Sequence, residues 1–158
     1  MAFPARAGAH AGLLLAVTGV AAVLTGHPFL FPSLGPSAYL LATAPSAAVT
    51  HPRNVFGGHA VGVVAGLLAT NLLSPGLVMI EPTAPLSPTM LRLAASAVLS
   101  VALTTGGMLA TGYEHAPACA TTLIVALGLL STPTEGAIVL GAVLVLLAAD
   151  AAFPNPKA

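Results

Sequence analysis

Polar side chains that could bind a small ion are grouped in three short stretches of an otherwise apolar chain. The first stretch contains Ser33, Gly35 and Ser37. Gly35 precedes a predicted helix, and the first N–H groups of a helix have no partner within it. Such a helix start attracts anions through its amides and the positive end of its dipole, and the two serines add hydroxyl donors. In the alternative interpretation, Ser33 is an ordinary helix cap.

The second stretch contains Arg53, Asn54 and His59. Asn54 is of a residue type that caps helices, so we expect it to cap the third helix. His59 falls about one turn inside the membrane, where an ionisable side chain is a functional candidate; the alternative is a histidine bonded to neighbouring backbone. Arg53 either contacts an anion or clamps helix ends together through Glu114 or Glu135.

The third stretch contains His115 and Thr121 and occupies the equivalent place in the second half of the chain. A histidine at the start of a short helix suits an anion that can also take up a proton; the alternative is a polar turn at the membrane interface. Cys119 is the only cysteine, and the histidines lack the spacing of metal ligands. We therefore expect no metal and no cofactor. No nucleophile and base stand at a catalytic spacing, so the sequence predicts a protein that is not an enzyme.

These stretches lie in a chain with the composition of a membrane protein. Of its 158 residues, 57% are hydrophobic and 5% are charged, against about 25% charged in a soluble domain. So little polar surface excludes a soluble enzyme, and a net charge of zero leaves no electrostatic footprint for nucleic acid. We expect an integral, multi-pass membrane protein, in the cell membrane if the organism is prokaryotic.

The elements that must position the polar stretches are six apolar segments, so the predicted fold class is an all-α integral membrane protein. The second and fifth segments are short or broken, because about 15 residues give about 22 Å of helix, against a hydrocarbon core of about 30 Å. Pro36 and Pro117 are expected to start these two helices. The six segments cover approximately residues 8–25, 36–50, 55–73, 89–110, 117–131 and 135–153.

The six segments form one domain, residues 1–158, made of two halves, about 1–80 and 81–158. Each half has the pattern long, short, long, and a shift of 81 positions places Pro36 on Pro117 and Pro52 on Pro133. If all six segments cross, each half has an odd number of crossings, and the halves form an inverted repeat. We then expect the starts of the second and fifth segments to converge inside the membrane.

The few basic residues favour six crossings over a topology with two re-entrant segments. Six crossings place Arg6, Arg53 and Lys157 on one side and Arg92 on the other, which agrees better with the positive-inside rule. Residues spaced by four form small-residue faces at which helices can pack closely. These faces are Gly58, Gly62 and Gly66 in the third helix and Ser96, Ser100 and Thr104 in the fourth.

The three stretches carry a family resemblance. Residues 51–66, HPRNVFGGHAVGVVAG, resemble a signature of the HPP family of small integral membrane proteins. That signature contains a proline-arginine pair followed by glycine-glycine-histidine. Two further family blocks are similar to GPSAYLLATAPSAAV and HAPACATTLIVALG, although the His-Pro-Pro motif is His115-Ala116-Pro117 here. The resemblance implies four membrane-spanning helices. It also implies transport of a small anion, since some members are implicated in nitrite transport.

The leading hypothesis is therefore a transporter or channel for a small monovalent anion, most likely nitrite. We expect the chain to contact the lipid bilayer, to bind no nucleic acid and to form a homo-oligomer, a dimer or trimer, because one small chain offers little room to enclose a permeation path. A membrane sensor or enzyme subunit that uses the intramembrane histidines is the main alternative. A subunit that serves only as a packing scaffold is a third.

Overall fold

The computed structural model describes residues 3–80 and 83–154, so residues 81 and 82 at the boundary of the halves lie outside it, as does Lys157. Within the described ranges the chain forms six α-helices, a 3₁₀ turn at Ala48–Thr50 and no strand. The helices are α1 (Phe3–Thr25), α2 (Leu34–Thr43), α3 (Pro52–Leu73), α4 (Pro88–Thr111), α5 (Ala118–Ala126) and α6 (Pro133–Ala152). Four of them, α1, α3, α4 and α6, are long and apolar enough to cross a membrane. The predicted all-α membrane fold is confirmed.

Three of the long helices begin with a proline, at a position where the missing N–H has no partner in the helix. These helices start at Pro52, Pro88 and Pro133. The prediction that Asn54 caps α3 is wrong, because the helix begins two residues before it. The cap is His51, whose Nδ1 accepts from the N–H of Arg53 at 3.4 Å. Asn54 instead donates from Nδ2 to the carbonyl of Ala48 at 2.8 Å.

The two short helices start close to the expected prolines but not at them. Helix α2 begins at Leu34, so Pro36 is its third residue, and Pro117 directly precedes α5. With 10 and 9 residues, each helix is about 15 Å long, half of a hydrocarbon core. Neither can cross a membrane as a continuous helix.

A face of small residues brings α5 directly against α3. A β-carbon on Gly58 would stand 2.9 Å from the β-carbon of His115, and one on Gly62 would stand 2.8 Å from the carbonyl oxygen of Ala118. Gly66 is in equally close contact with α5. Because a larger residue would push the helices apart, the prediction that these three glycines face another helix is confirmed.

The polar face of α4 also packs inside the bundle. Ser96, Ser100 and Thr104 are all fully buried, and Ser96 Oγ donates to the carbonyl of Ala126, the last residue of α5, at 3.1 Å. Small residues and interhelical hydrogen bonds are the usual means of packing helices in lipid. The second predicted small-residue face is therefore confirmed as well.

Helix α5 is the helical part of a longer segment that runs alongside α3. Tyr113 lies against Gly57 in the second turn of α3. At the other end, the N–H of Met79, beyond the last residue of α3, donates to the carbonyl of Leu127. Residues 113–127 thus run beside α3 from its early turns to past its end.

Two of the basic residues lie at opposite ends of α3. Arg53 lies in its first turn, while Arg92 Nε donates to the carbonyl of Leu73, its last residue, at 2.8 Å. Both the six-crossing topology and the topology with two re-entrant segments place these two arginines on opposite sides, so their separation does not distinguish the two topologies.

The apolar core lies mainly between α1, α2, α3 and α6. Its most buried members include Leu14, Leu34, Val55, Val143 and Leu146, each with no exposed surface. At one end of this layer His10 Nε2 lies 2.9 Å from Asp150 Oδ1, so the beginning of α1 lies beside the end of α6. Leu34, Ala38 and Leu41 of α2 belong to this core, so α2 packs against α1 and α6.

Candidate functional site

Five polar side chains meet where α2, α3 and α5 come together, and each of them is fully buried. We refer to them as the histidine–hydroxyl cluster. Its members are Ser33, Ser37, His59, His115 and Thr121. All five were candidate site residues from the sequence, and the structure brings them together in one hydrogen-bonded chain.

The start of each short helix supplies two members of the cluster. Ser37 and Thr121 are the fourth residues of α2 and α5, while Ser33 and His115 lie just before these helices. The pairs cross over: Ser33 Oγ lies 2.6 Å from Thr121 Oγ1, and Ser37 Oγ lies 2.9 Å from His115 Nε2. The two helices therefore begin side by side and run in opposite directions, which is consistent with inverted halves.

His59 joins the two short helices from the centre. It is the eighth residue of α3, about 10 Å along the helix axis from the first residue. Its Nε2 lies 3.1 Å from Ser37 Oγ and its Nδ1 lies 2.7 Å from Thr121 Oγ1. Because both ring nitrogens have side-chain partners, the alternative of a histidine bonded only to neighbouring backbone does not hold.

The partners of His115 fix the positions of the protons in the cluster. Its Nδ1 lies 2.7 Å from the carbonyl oxygen of Val49, which can only accept, so Nδ1 carries the proton. In a neutral imidazole Nε2 is then an acceptor, and the Ser37 hydroxyl donates to it. Ser37 Oγ in turn accepts from His59 Nε2–H, which leaves His59 Nδ1 to accept from the Thr121 hydroxyl.

In this assignment every side chain of the histidine–hydroxyl cluster has a hydrogen-bond partner, and the cluster carries no net charge. The last link is the Ser33 hydroxyl, which donates to Thr121 Oγ1. The two imidazole rings lie 5.2 Å apart between centroids and are tilted by 55°. With His115 neutral, the cluster is therefore a directional chain of donors from Ser33 to the Val49 carbonyl, in which His59 is neutral as well.

The expectation that the first N–H groups of α2 and α5 are unpaired is wrong. The N–H groups of Leu34 and Gly35 donate to carbonyls of the preceding turn, and those of Ala118 and Cys119 do the same in α5. These turns extend each helix backwards by a few residues. Within the described residues, the N–H groups without a partner lie one turn earlier, at Ser33, His115 and Ala116.

Three of the predicted site residues lie outside the cluster. Gly35 is half-buried, and a β-carbon there would meet nothing within 4 Å. Asn54 binds the backbone of the 3₁₀ turn. Arg53 is exposed and lies over the ring of Tyr113, with its guanidinium carbon 4.9 Å from the ring centroid. It forms no ion pair with a described residue, so a clamp through Glu114 or Glu135 is wrong.

A cavity of about 270 Å³ borders His115 on the side that faces α4. Glu114, Cys119 and Val49 contribute to its lining, and Thr105, Met108 and Leu109 of α4 close it. The cavity thus lies directly beside His115, and the exposed residue Glu114 contributes to its lining. A larger apolar groove of about 590 Å³ lies between α3 and α4 and contains no member of the cluster.

Sequence reasoning missed the Val49 carbonyl and two further hydroxyl groups. The hydroxyls of Thr104 and Thr122 are buried and have no hydrogen-bond partner among the described residues. Thr104 was expected only as part of the small-residue face of the fourth helix, and Thr122 directly follows Thr121 of the third polar stretch. Nothing in the sequence indicated that Val49 would orient His115, because a backbone carbonyl carries no residue-type signal.

A comparison with protein-family models supports the resemblance seen in the three stretches. The family model described as "HPP, transmembrane region" matches residues 2–155. No curated protein matches the chain, and no solved structure matches it. The matched range includes all six helices in full and all five members of the histidine–hydroxyl cluster.

Proposed function

Because this chain belongs to the HPP family of transmembrane proteins, we propose that it moves a small monovalent anion, nitrite first, across the membrane at the histidine–hydroxyl cluster. The family and the four long apolar helices make it an integral, multi-pass membrane protein. The observation that carries the proposal is the crossed meeting of α2 and α5 at their starts, inside the bundle.

The electrostatics of this meeting favour an anion. Each short helix presents the positive end of its dipole to the same place. Unpaired N–H groups of Ser33, His115 and Ala116 lie beside the cluster and can donate to an anion. Together they offset part of the cost of taking a small ion out of water, which amounts to several kcal/mol.

The absence of a fixed charge within the cluster suits transport rather than tight binding. Its five members are hydroxyls and neutral imidazoles, so an anion meets dipoles and hydrogen-bond donors only. Conduction requires binding that is weak enough for the ion to leave. The cavity of about 270 Å³ beside His115 has room for an ion the size of a few water molecules, each of which takes about 30 Å³ of liquid.

Flux through liposomes that contain only the purified protein tests the proposal. We expect nitrite to enter such liposomes, and His115→Ala to lower the rate about tenfold, since a hydrogen bond to a charged partner contributes about 1.5–3 kcal/mol. Ser33→Ala and Ser37→Ala should change selectivity more modestly. His27→Ala is the matched control, because His27 is exposed and lies outside the cluster.

The same experiment separates transport from its alternatives. A sensor subunit, an enzyme subunit or a packing scaffold gives no protein-dependent flux in these liposomes. If folded wild-type protein leaves the nitrite rate at that of empty liposomes, the proposal is wrong.

We also propose that the protein works as a homo-oligomer. The buried residues of α1 are few, and its face of Gly8, Gly12 and Ala16 is exposed. No atom would come within 4 Å of a β-carbon on either glycine. Small residues spaced by four are the usual contact surface between membrane helices, so this face suits a second copy of the chain.

A further inference from the structure

The Ser37 hydroxyl has two acceptors within reach but only one proton to donate. His115 Nε2 lies 2.9 Å from Ser37 Oγ, and the carbonyl oxygen of Ser33, one helical turn back, lies 3.2 Å away. In the neutral cluster the hydroxyl must serve His115, because Nε2 would otherwise have no donor. The Ser33 carbonyl is therefore a second position to which the hydroxyl can turn.

We propose that His115 Nε2 is the binding site for one proton that travels with the anion, so that the protein is a proton-coupled anion transporter. This inference rests on the proposed function and names its coupling ion. It is carried by the hydrogen-bond geometry of the cluster, which can accept one additional proton without leaving a donor or acceptor unsatisfied.

The protonated state balances atom by atom. A hydronium ion that reaches the cavity beside His115 gives its proton to the lone pair of Nε2 and leaves as water, and the new N–H then donates to Ser37 Oγ. The Ser37 hydroxyl turns to the Ser33 carbonyl, while Oγ still accepts from His59 Nε2–H. No covalent bond between heavier atoms forms or breaks, and nothing is oxidised or reduced.

We expect the cluster to bind one additional proton but not a second. A second proton would have to add to His59 Nδ1, which accepts from Thr121 in the neutral chain. The two rings are 5.2 Å apart between centroids, and like charges that close disfavour each other's ionisation. The stoichiometry should thus be one proton for each cluster.

The groups around His115 explain why proton and anion bind together. An imidazolium beside the positive ends of two helix dipoles is unfavourable without a neighbouring negative charge, and the anion supplies that charge. Each ligand raises the affinity for the other by the same factor, since coupling free energies are reciprocal. The pair that crosses is then neutral.

The other ionisable groups that face His115 are few. His59 faces it from α3, and Glu114 and Cys119 line the adjoining cavity. The lining residues from α4 are Thr105, Met108 and Leu109, and the residue of α2 that contacts His115 is Ser37. Glu114 is exposed, so its carboxylate can pass protons between solvent and the cavity.

Titration calorimetry of nitrite into the purified wild-type protein tests this directly. Runs in buffers of different ionisation enthalpy at one pH give the number of protons taken up with each anion. We expect about one proton per nitrite, and nitrite affinity that rises about tenfold for each unit by which the pH falls, across about pH 6 to 8.

Variants then locate the proton. His115→Gln should lose the proton uptake, whereas His27→Gln should keep it. Ser37→Ala removes the hydroxyl that turns and should lower the uptake, and Ser37→Thr, which restores a hydroxyl, should recover it.

The outcomes separate this inference from the proposed function. Nitrite binding or flux with no proton uptake and no pH dependence overturns the proton site and leaves anion transport standing. Neither binding nor flux of nitrite by folded protein overturns both.

Discussion

The two buried histidines should carry their single protons on different ring nitrogens. Val49 fixes the proton of His115 on Nδ1, and the Ser37 hydroxyl then places that of His59 on Nε2. Nitrogen-15 NMR of histidine-labelled protein distinguishes protonated from unprotonated ring nitrogens. We expect one buried histidine of each tautomer at neutral pH, and loss of the Nδ1–H signal in His115→Gln.

A spectrum in which both buried histidines carry the proton on Nε2 would contradict the assignment, because the Val49 carbonyl would then face a bare lone pair. The signals of His27 and His51, which are exposed, provide internal references. The proton of His27 should exchange between its two nitrogens, whereas that of His51 should stay mainly on Nε2, because its Nδ1 accepts from the N–H of Arg53, and those of the cluster should not exchange.

Arg53 should stabilise the fold through Tyr113 rather than through the anion. The guanidinium lies over the ring at 4.9 Å, and an exposed contact of this kind contributes about 0.5–1 kcal/mol. We expect Arg53→Ala to lower the free energy of unfolding by that amount and to leave nitrite flux per folded molecule at the wild-type rate. A double-mutant cycle with Tyr113→Leu measures the coupling. Unchanged stability with lost flux would instead identify Arg53 as an anion contact.

The sequence identified the cluster residues but not how they pair. Each of the five is polar in an apolar surrounding, and burial of such a group is a signal in itself. Their pairing depends on how the starts of α2 and α5 lie against each other in three dimensions, which the residue types do not encode. Asn54 was assigned wrongly as a cap because Pro52 already begins α3, so that Asn54 lies inside the first turn.

At the scale of elements, the order of long and short helices followed from the sequence, whereas the lengths of the two short helices and the offset between them did not: each was expected to have about 15 residues, and they have 10 and 9. Pro52 and Pro133 both start long helices, as the shift of 81 positions predicts. The short helices follow a different offset, because Ser37 and Thr121, not Pro36 and Pro117, hold equivalent positions in them. Proline is tolerated at several positions around a helix start, so matching prolines does not fix the helical register.

The contact between α3 and α5 should be the most sensitive helix interface to added volume. In Gly62→Ala the new β-carbon would lie 2.8 Å from the Ala118 carbonyl oxygen, and backbone must move to admit it. We expect a loss of about 1–3 kcal/mol in the free energy of unfolding, as is typical of overpacked sites. Denaturant titration in detergent measures it.

Gly106→Ala is the matched control for this substitution. Gly106 lies in α4, is exposed and would place its β-carbon within 4 Å of no atom. Alanine there should be neutral or stabilising by up to about 1 kcal/mol, because it favours helix over glycine. Equal effects at the two positions would show that the α3–α5 contact is looser than the structure indicates.

In the whole molecule, four long helices surround two short ones, and the long helices differ in how much of their surface is buried. Only Ala7, Leu14 and Thr18 of α1 are buried, whereas α3 buries residues along its whole length. Composition predicts that such a chain lies in a membrane, but it cannot say which exposed surfaces face lipid and which face another copy. The exposed small residues lie in the first half of α1, whereas its second half presents large side chains, among them Val20, Val23 and Leu24.

The last prediction follows from that difference: Gly12→Leu should break the homo-oligomer while leaving the fold intact. Gly12 is exposed, and a β-carbon there would meet nothing within 4 Å of its own chain, so a leucine has space in the single chain. It would, however, hold two α1 helices apart at the point where small residues allow close approach. Native mass spectrometry in mild detergent should show a dimer or trimer for the wild type and a monomer for Gly12→Leu. Gly106→Leu, an equally exposed change on α4, should keep the wild-type mass. A wild-type monomer that transports nitrite, or oligomers that survive Gly12→Leu unchanged, would exclude the α1 face as the interface.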